Sequence, residues 1–137
     1  MRRRKPRNKA DALRGVPLFA ECSKADLSRI ARIADEIDLR EGKVLIREGD
    51  SARQFFVLLD GWAEVRRKGR KVNTMGPGDF FGEIGLVTDR LATATVTTTA
   101  PSRALVITRA SFKGMLRSAP GVQLKVLQAL AQRIPGD

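Results

Sequence analysis

Residues 76–96 decide the fold class of this chain and read GPGDFFGEIGLVTDRLATATV. Gly82 and Gly85 flank Glu83 and Ile84, and this short stretch interrupts a pattern of strand residues without containing proline. It can form a single helical turn with unbonded backbone N–H groups, and such groups attract an anion, typically phosphate. A carboxylate fits inside this anion site if Glu83 accepts hydrogen bonds from a sugar hydroxyl while the N–H groups bind the phosphate.

The regions on both sides of this segment consist of short apolar and β-branched runs between turn signals. Six runs predict β-strands: Lys43–Ile46, Gln54–Leu59, Trp62–Arg67, Lys71–Met75, Thr93–Thr99 and Arg103–Ile107. Asp60-Gly61 lies between two of them and predicts a hairpin, because glycine tolerates the positive φ of a tight turn. Regularly spaced short strands indicate a sandwich or barrel of about eight strands rather than a sheet with alternating helices.

Helical patterns precede the strand region. Apolar residues from Leu13 to Phe19 predict a first helical turn, which Pro17 breaks. Ser23 predicts the N-cap of a second helix, because Asp26 follows three residues later and apolar residues then recur at helical spacing.

Two more helical patterns follow the strands. Thr108 or Arg109 opens a helix that Ala119-Pro120 ends, since the residue before a proline avoids the helical conformation. A last helix begins at about Gly121 and ends at Pro135-Gly136. Its apolar residues share one stripe: Leu124, Leu127, Ala131 and Ile134.

The quoted segment resembles the phosphate-binding cassette of cyclic nucleotide-binding domains. Such cassettes read Phe-Gly-Glu, an aliphatic residue, a small residue and Leu, then a variable loop and Pro-Arg-small-Ala-Thr-Val. This chain has Phe81-Gly82-Glu83-Ile84-Gly85-Leu86, then Val87-Thr88-Asp89-Arg90 and Leu91-Ala92-Thr93-Ala94-Thr95-Val96. The resemblance extends from about residue 13 to residue 134. It implies a mainly β fold, a double-stranded β-helix (jelly-roll) sandwich with flanking N-terminal and C-terminal helices. It also implies a regulatory sensor domain for cAMP or cGMP, as in catabolite activator protein and cyclic nucleotide-gated channels.

The resemblance also implies roles for individual residues. Glu83 would hold the ribose hydroxyl, although a glutamate at a helix N-terminus is also favoured by the helix dipole. Thr93 would place a hydroxyl beside the phosphate or base, which suits cGMP without excluding cAMP; it reads equally as an ordinary strand threonine. Val65 and Val72 are candidates for packing on the purine or in the core, and Trp62 is expected on the surface. Backbone groups around the phosphate would come from Gly82, Ile84, Gly85 and Leu86.

One position departs from the family pattern. Aligned without a gap, the arginine that pairs with the cyclic phosphate falls on Ala92, and its preceding proline falls on Leu91. A charge-assisted contact is worth about 1.5–3 kcal/mol, so its loss weakens binding by roughly ten- to a hundred-fold. Arg90 is the nearest replacement, two positions upstream on the same face if the strand continues. The alternative is a solvent-facing Arg90 beside Asp89.

Composition excludes several functional classes. The chain has 137 residues, no His, no Tyr and one Cys. Nucleophilic sites that need His cannot be assembled, nor can zinc sites built on His or clustered Cys, whereas carboxylate chemistry and a site of backbone amides and Arg remain possible. No proton-transfer pair or metal cluster stands out in the sequence, so we expect no catalytic residues, metal or cofactor. Cys22 alone cannot close an internal disulfide, and no stretch approaches the roughly 20 apolar residues of a membrane span. We expect a soluble cytoplasmic protein.

The positive charge is concentrated at the N-terminus. The chain has 26 Lys+Arg and 15 Asp+Glu, a net charge of +11. We expect residues 1–10 to form a disordered basic tail and residues 11–137 a single cyclic nucleotide-binding-like domain. The tail is either a solubilising extension or an arm for weak, nonspecific polyanion binding. Six cations precede the first acidic residue: Arg2, Arg3, Arg4, Lys5, Arg7 and Lys9.

Two functional hypotheses share this fold, and an enzyme is the least favoured class. In the first, the cassette at 81–96 binds cAMP or cGMP and signals through the C-terminal helices. In the second, the loss of the phosphate arginine at Ala92 leaves a protein-interaction or dimerisation module. The last helix would then contact a second copy or an effector protein.

Overall fold

Eight strands and four helical segments make up the part of the chain that the computed structural model describes, namely residues 13–20, 22–51, 53–82, 86 and 90–133. The strands are β1 (Asp35–Leu39), β2 (Val44–Ile46), β3 (Gln54–Asp60), β4 (Ala63–Arg67), β5 (Arg70–Met75), β6 (Phe80–Phe81), β7 (Thr95–Thr98) and β8 (Ser102–Thr108). The helices are a 3₁₀ helix (Pro17–Phe19), α1 (Lys24–Ile33), α2 (Arg109–Ser118) and α3 (Pro120–Arg133).

The strands form two antiparallel four-stranded sheets that pack against each other. The first sheet has the order β1-β8-β3-β6, and the second has the order β2-β7-β4-β5. An inter-sheet core joins them and consists of Leu39, Phe56, Leu58, Ala63, Met75, Phe81, Val96, Ala104 and Val106. The predicted mainly β sandwich with flanking helices is therefore confirmed.

The first sheet is buried on both faces, because the helices cover the face that the second sheet leaves open. Phe56 and Leu58 of β3 point into the inter-sheet core, whereas Phe55 and Val57 point the other way. Phe55 stacks on Phe112 of α2 with ring centroids 4.5 Å apart. This helix-side core includes Leu27, Ile30, Phe55, Val57, Leu86, Leu105, Ile107, Phe112, Met115, Val122 and Val126.

The hairpin predicted at Asp60-Gly61 is wrong. β3 and β4, on either side of this turn, belong to different sheets, so the turn carries the chain from one layer to the other. Gly61 has φ +95°, and a Cβ there would clash with Oγ of buried Ser102. The hairpin forms instead between β4 and β5, where Lys68 and Gly69 have φ of 53° and 79°. Two consecutive positive φ values match the right-handed twist of paired strands.

The predicted helix starts are confirmed. Ser23 caps α1, and its hydroxyl accepts a hydrogen bond from the backbone N–H of Asp26. Thr108 caps α2 in the same way through the N–H of Ser111, and that helix ends at Ala119. Pro17 does more than break a helical turn, because it begins the 3₁₀ helix, where its missing N–H costs nothing.

The predicted apolar stripe of the last helix faces outward in α3. Val122 and Val126 are the residues that anchor the helix in the helix-side core. Leu124 and Leu127 are each 55% exposed, and Ala131 is exposed as well. Ile134 and the predicted stop at Pro135-Gly136 lie outside the described residues. The expected basic tail at residues 1–10 also lies outside them.

Candidate functional site

The cassette segment leaves the first sheet at Gly82. Phe81 pairs with Phe56 of β3, and Gly82 follows with φ +100°. A Cβ at Gly82 would lie 2.5 Å from the carbonyl oxygen of Gln54. Glycine is therefore required by its left-handed backbone and by the close approach of β3. Its predicted role beside a phosphate stays a prediction.

Leu86 ties the middle of this segment to the core. Its side chain is fully buried in the helix-side core, where residues of β3, α2 and α3 also meet. Leu86 therefore connects the segment directly to the helices that cover the first sheet. The predicted ligand residues Glu83, Ile84 and Gly85 lie outside the described residues.

The end of the segment is fastened by its backbone to the connection between β2 and β3. The N–H of Ala92 donates to the carbonyl of Asp50, and the N–H of Gly49 donates to the carbonyl of Ala92, each at 2.8 Å. Ser51 and Leu91 form an isolated antiparallel bridge. Ala92, the position that departs from the family pattern, therefore has both backbone groups hydrogen-bonded and a half-buried methyl side chain.

Side-chain hydrogen bonds extend this attachment to β7 and to the β4–β5 hairpin. Thr95 Oγ1 accepts from the N–H of Glu48, and Glu48 Oε1 accepts from the N–H of Lys68, each at 3.0 Å. Arg67 Nε donates to the carbonyl oxygen of Thr93 at 3.2 Å. The Thr93 hydroxyl predicted to face the ligand therefore belongs to a residue with a fixed backbone.

A cleft of about 570 Å³ opens between Leu91 and the wall formed by β2, the β2–β3 connection and the first half of β3. Leu91, from the end of the segment, lines it directly. The beginning borders it through Gly82, whose Cβ position lies 3.5 Å from Cδ1 of the lining residue Ile46. Its volume is typical of small-molecule sites, which range from about 300 to 1,000 Å³. Apolar side chains form one part of the lining, and its polar part includes the charged residues Arg47, Asp50 and Arg53 together with Ser51 and Gln54.

The remaining predicted ligand residues lie in different surroundings. Arg90 is exposed at the end of the segment. Val65 of β4 is half-buried and packs against the inter-sheet core, while Val72 of β5 is 52% exposed. Trp62 is 51% exposed and covers Gly76, where a Cβ would lie 2.5 Å from its ring. The expectation that Trp62 is a surface-packed aromatic is confirmed.

Sequence reasoning missed Arg47 and Arg53 as lining residues. Both flank the turn signal Glu48-Gly49-Asp50, but nothing in the sequence indicates that this connection lies opposite Leu91. Their position follows from the backbone bonds of Ala92, which are contacts between residues about 40 positions apart. In the described part of the chain no cluster of acidic and Cys residues could hold a metal ion. No helix there combines the length and the apolar character that a membrane crossing requires.

Comparison with known proteins identifies the family. The family model for the cyclic nucleotide-binding domain matches residues 36–119, a range that contains the cassette segment and, apart from Asp35, both sheets. The chain belongs to the cyclic nucleotide-binding domain family. Both the predicted family and the predicted class of regulatory domain are confirmed.

Two relatives are regulatory subunits of cAMP-dependent protein kinase. The subunit of Schizosaccharomyces pombe is 31% identical over 108 residues, which cover 78% of this chain and 26% of the relative. The subunit of Mycosarcoma maydis is 32% identical over 137 residues, which cover 91% of this chain and 25% of the relative. The chain therefore spans about a quarter of the length of these curated relatives.

A solved structure of similar size shares the whole fold of this cyclic nucleotide-binding domain. It is described as "Sp-2Cl-cAMPS bound to PKAR CBD2" and is 25% identical, with a TM-score of 0.71. The similarity covers 89% of this chain and 88% of the solved one. The jelly-roll arrangement expected from the cassette motif is thereby confirmed.

Proposed function

We propose that this cyclic nucleotide-binding domain is a sensor that binds cAMP or cGMP through the cassette at 81–96 and signals through α2 and α3. The family match over residues 36–119 carries the proposal. The cleft beside Leu91 of the cassette supports it, because its volume suits a nucleotide. The chain is proposed to act by binding, without catalysis of its own.

The proposed ligand contacts follow the family motif. Glu83 holds the ribose hydroxyl, Thr93 offers a hydroxyl beside the phosphate or base, and Arg90 supplies a cation near Ala92. The exposure of Val72 leaves its side chain accessible to a purine, and Val65 lies on the neighbouring strand. Backbone groups around the phosphate come from Gly82, Ile84, Gly85 and Leu86.

Leu86 provides the physical link between ligand and output. It shares the helix-side core with Phe112 of α2 and Val122 of α3, so a shift of the cassette changes the packing available to both helices. Close-packed interiors respond to such shifts by changing between discrete arrangements. A nucleotide that binds one arrangement more tightly shifts the population toward it.

The best test is a titration of cAMP and cGMP, separately, into isotope-labelled protein, followed through backbone amide shifts. Saturable shifts at residues 82–86 that extend to 121–133 support a working sensor. Adenosine and guanosine are matched controls that lack the phosphate, and both are expected to bind more weakly. Absence of shifts with both cyclic nucleotides at millimolar concentration contradicts the proposal.

The outward stripe of α3 is the surface we propose for a partner. Leu124 and Leu127 each expose more than half of their area, and they lie three residues apart on one side of the helix. The partner is a second copy of this domain or an effector protein. A mass that rises with concentration in sedimentation, and that Leu124→Ser with Leu127→Ser abolishes, supports the second copy. A strictly monomeric protein favours the effector.

A further inference from the structure

The site lacks a positively charged side chain at position 92, which is Ala92 in this chain. A cyclic phosphate carries a negative charge. In the family motif that this chain resembles, an arginine at this position pairs with it. Backbone N–H groups alone supply partial charges, so a buried phosphate is held far better when a guanidinium also contacts it. Besides Arg90 on the segment itself, cations that reach the cleft from another element are candidates to replace this arginine.

Arg47 and Arg53 stand on the wall of the cleft across from Leu91. They lie at the two ends of the connection between β2 and β3, which Ala92 fastens through two backbone hydrogen bonds. The carbonyl of Arg47 accepts from the N–H of Asp50, and the carbonyl of Arg53 accepts from the N–H of Arg109, each at 3.1 Å. Both arginines therefore have anchored backbones and exposed side chains.

Neither guanidinium is engaged with a carboxylate within the described ranges. Arg66 is paired with Glu64, and Arg103 with Glu36 and Asp38, whereas Arg47 and Arg53 have no such partner among the described residues. Among the described residues that line the cleft, Asp50 is the one acidic side chain, so this part of the lining has two cations and one anion, a net charge of +1. An anionic ligand is favoured in such a cleft.

We propose that Arg47 and Arg53 hold the cyclic phosphate in this chain, in place of the arginine that Ala92 replaces. The inference rests on the proposed function and names the cations that this site uses. The two guanidinium groups contact the phosphate from the wall that β2, β3 and their connection form. Ile46, Phe56 and Leu91 supply the apolar part of the same cleft.

The test compares cAMP and cGMP affinities of Arg47→Ala, Arg53→Ala and the double variant with those of the unmodified protein. Each single change is expected to weaken binding by roughly ten-fold, because one charge-assisted contact is lost. Arg70→Ala, at an exposed position on β5, is the matched control and is expected to bind normally. Thermal unfolding confirms that each variant is folded.

Two further measurements separate phosphate binding from a structural role. Adenosine and guanosine affinities are expected to be the same in Arg53→Ala and the unmodified protein, because the nucleosides carry no phosphate. Adding Ala92→Arg to the double variant is expected to restore cyclic nucleotide affinity. If the unmodified protein binds and the variants bind equally well, while Arg90→Ala abolishes binding, the inference is wrong and the proposed function stands. If the unmodified protein binds neither nucleotide, both are wrong.

Discussion

Gly82 and Gly69 both adopt a left-handed backbone, but their surroundings differ. A Cβ at Gly69 would meet nothing within 4 Å, whereas one at Gly82 would lie 2.5 Å from the carbonyl oxygen of Gln54. Gly69→Ala is expected to cost about 1–2 kcal/mol through backbone strain alone. Gly82→Ala adds roughly 1–3 kcal/mol of overpacking. Urea unfolding of both variants checks this, and equal losses would show that β3 does not confine the cassette.

Leu86 and Leu91 belong to the same cassette and allow a buried side chain to be compared with an exposed one. Leu86 is fully buried in the helix-side core, and Leu91 is 57% exposed on the cleft. Leu86→Ala is expected to reduce the free energy of unfolding by about 2–5 kcal/mol, since it leaves a cavity. Leu91→Ala is expected to change it by about 0.5 kcal/mol at most. A small effect of Leu86→Ala in denaturant titration would contradict the proposed link between cassette and helices.

At the level of single residues, the sequence predicted the cassette positions but not the two arginines, Arg47 and Arg53, that line the cleft. Phe81 to Leu86 and Ala92 to Val96 form a local pattern, so their resemblance to the family's cassette was visible in the sequence. Arg47 and Arg53 line the same cleft only because the chain returns to Leu91 after about 40 residues. Contacts of that separation depend on strand pairing, which no local pattern specifies.

The reactivity of Cys22, the one cysteine of the chain, can report movement of the helices. Cys22 lies before α1, and a backbone hydrogen bond connects its thiol to Val122 of α3. Burial raises the pKa of the Cys22 thiol, the charge of Asp26 raises it further, and the bond to Val122 opposes both. At pH 8 the folded protein therefore contains less thiolate than the unfolded chain, and thiolate is the nucleophile.

Iodoacetamide alkylation is accordingly expected to be slower in the folded protein than in urea, with a rate that rises at higher pH. Asp26→Asn is expected to speed it, because a charge that raises the pKa is removed, whereas Asp35→Asn on exposed β1 is the neutral control. A cyclic nucleotide that moves α3 changes the rate by breaking the contact with Val122. An unchanged rate at saturating nucleotide would contradict signalling through α3.

Strands and helices differ in how far the sequence could predict them. The caps at Ser23 and Thr108 are local hydrogen bonds, so both helix starts were predicted. β1 was not predicted because Asp35–Leu39 is mostly polar and takes its strand form from pairing with β8. The turn at Asp60-Gly61 has hairpin residues, but β8 and β6 occupy the two edges of β3, so β4 pairs in the second sheet instead.

In the molecule as a whole, the first sheet lies between two hydrophobic cores and contributes residues to both. Its strands bury one face against the second sheet and the other against the helices, as β3 does with alternate side chains. The cassette bridges both, since Phe81 belongs to the inter-sheet core and Leu86 to the helix-side core. A sandwich was predictable from strand spacing, but this double burial was not, because the helix-facing and sheet-facing residues are equally apolar.

The basic tail at residues 1–10 provides the last prediction. Six positively charged residues lie in this tail. The net charge of the chain is +11, so deletion of the tail leaves a net charge of +5 on the domain. We expect the full chain to bind single-stranded DNA weakly and without sequence preference, with a slope of log K against log salt of about −4 at most. Deletion of residues 1–10 is expected to abolish this binding.

The same deletion is expected to leave the melting temperature and the cyclic nucleotide affinity unchanged, because the cleft is lined by residues 44–56 and Leu91. Fluorescence anisotropy with two unrelated oligonucleotides at several salt concentrations measures the first effect, and calorimetry measures the second. DNA binding that survives the deletion would place the polyanion site on the folded domain. Loss of nucleotide affinity would instead show that the tail contributes charge to the cleft, since a short cationic arm acts over about 10 Å at 0.1 M salt.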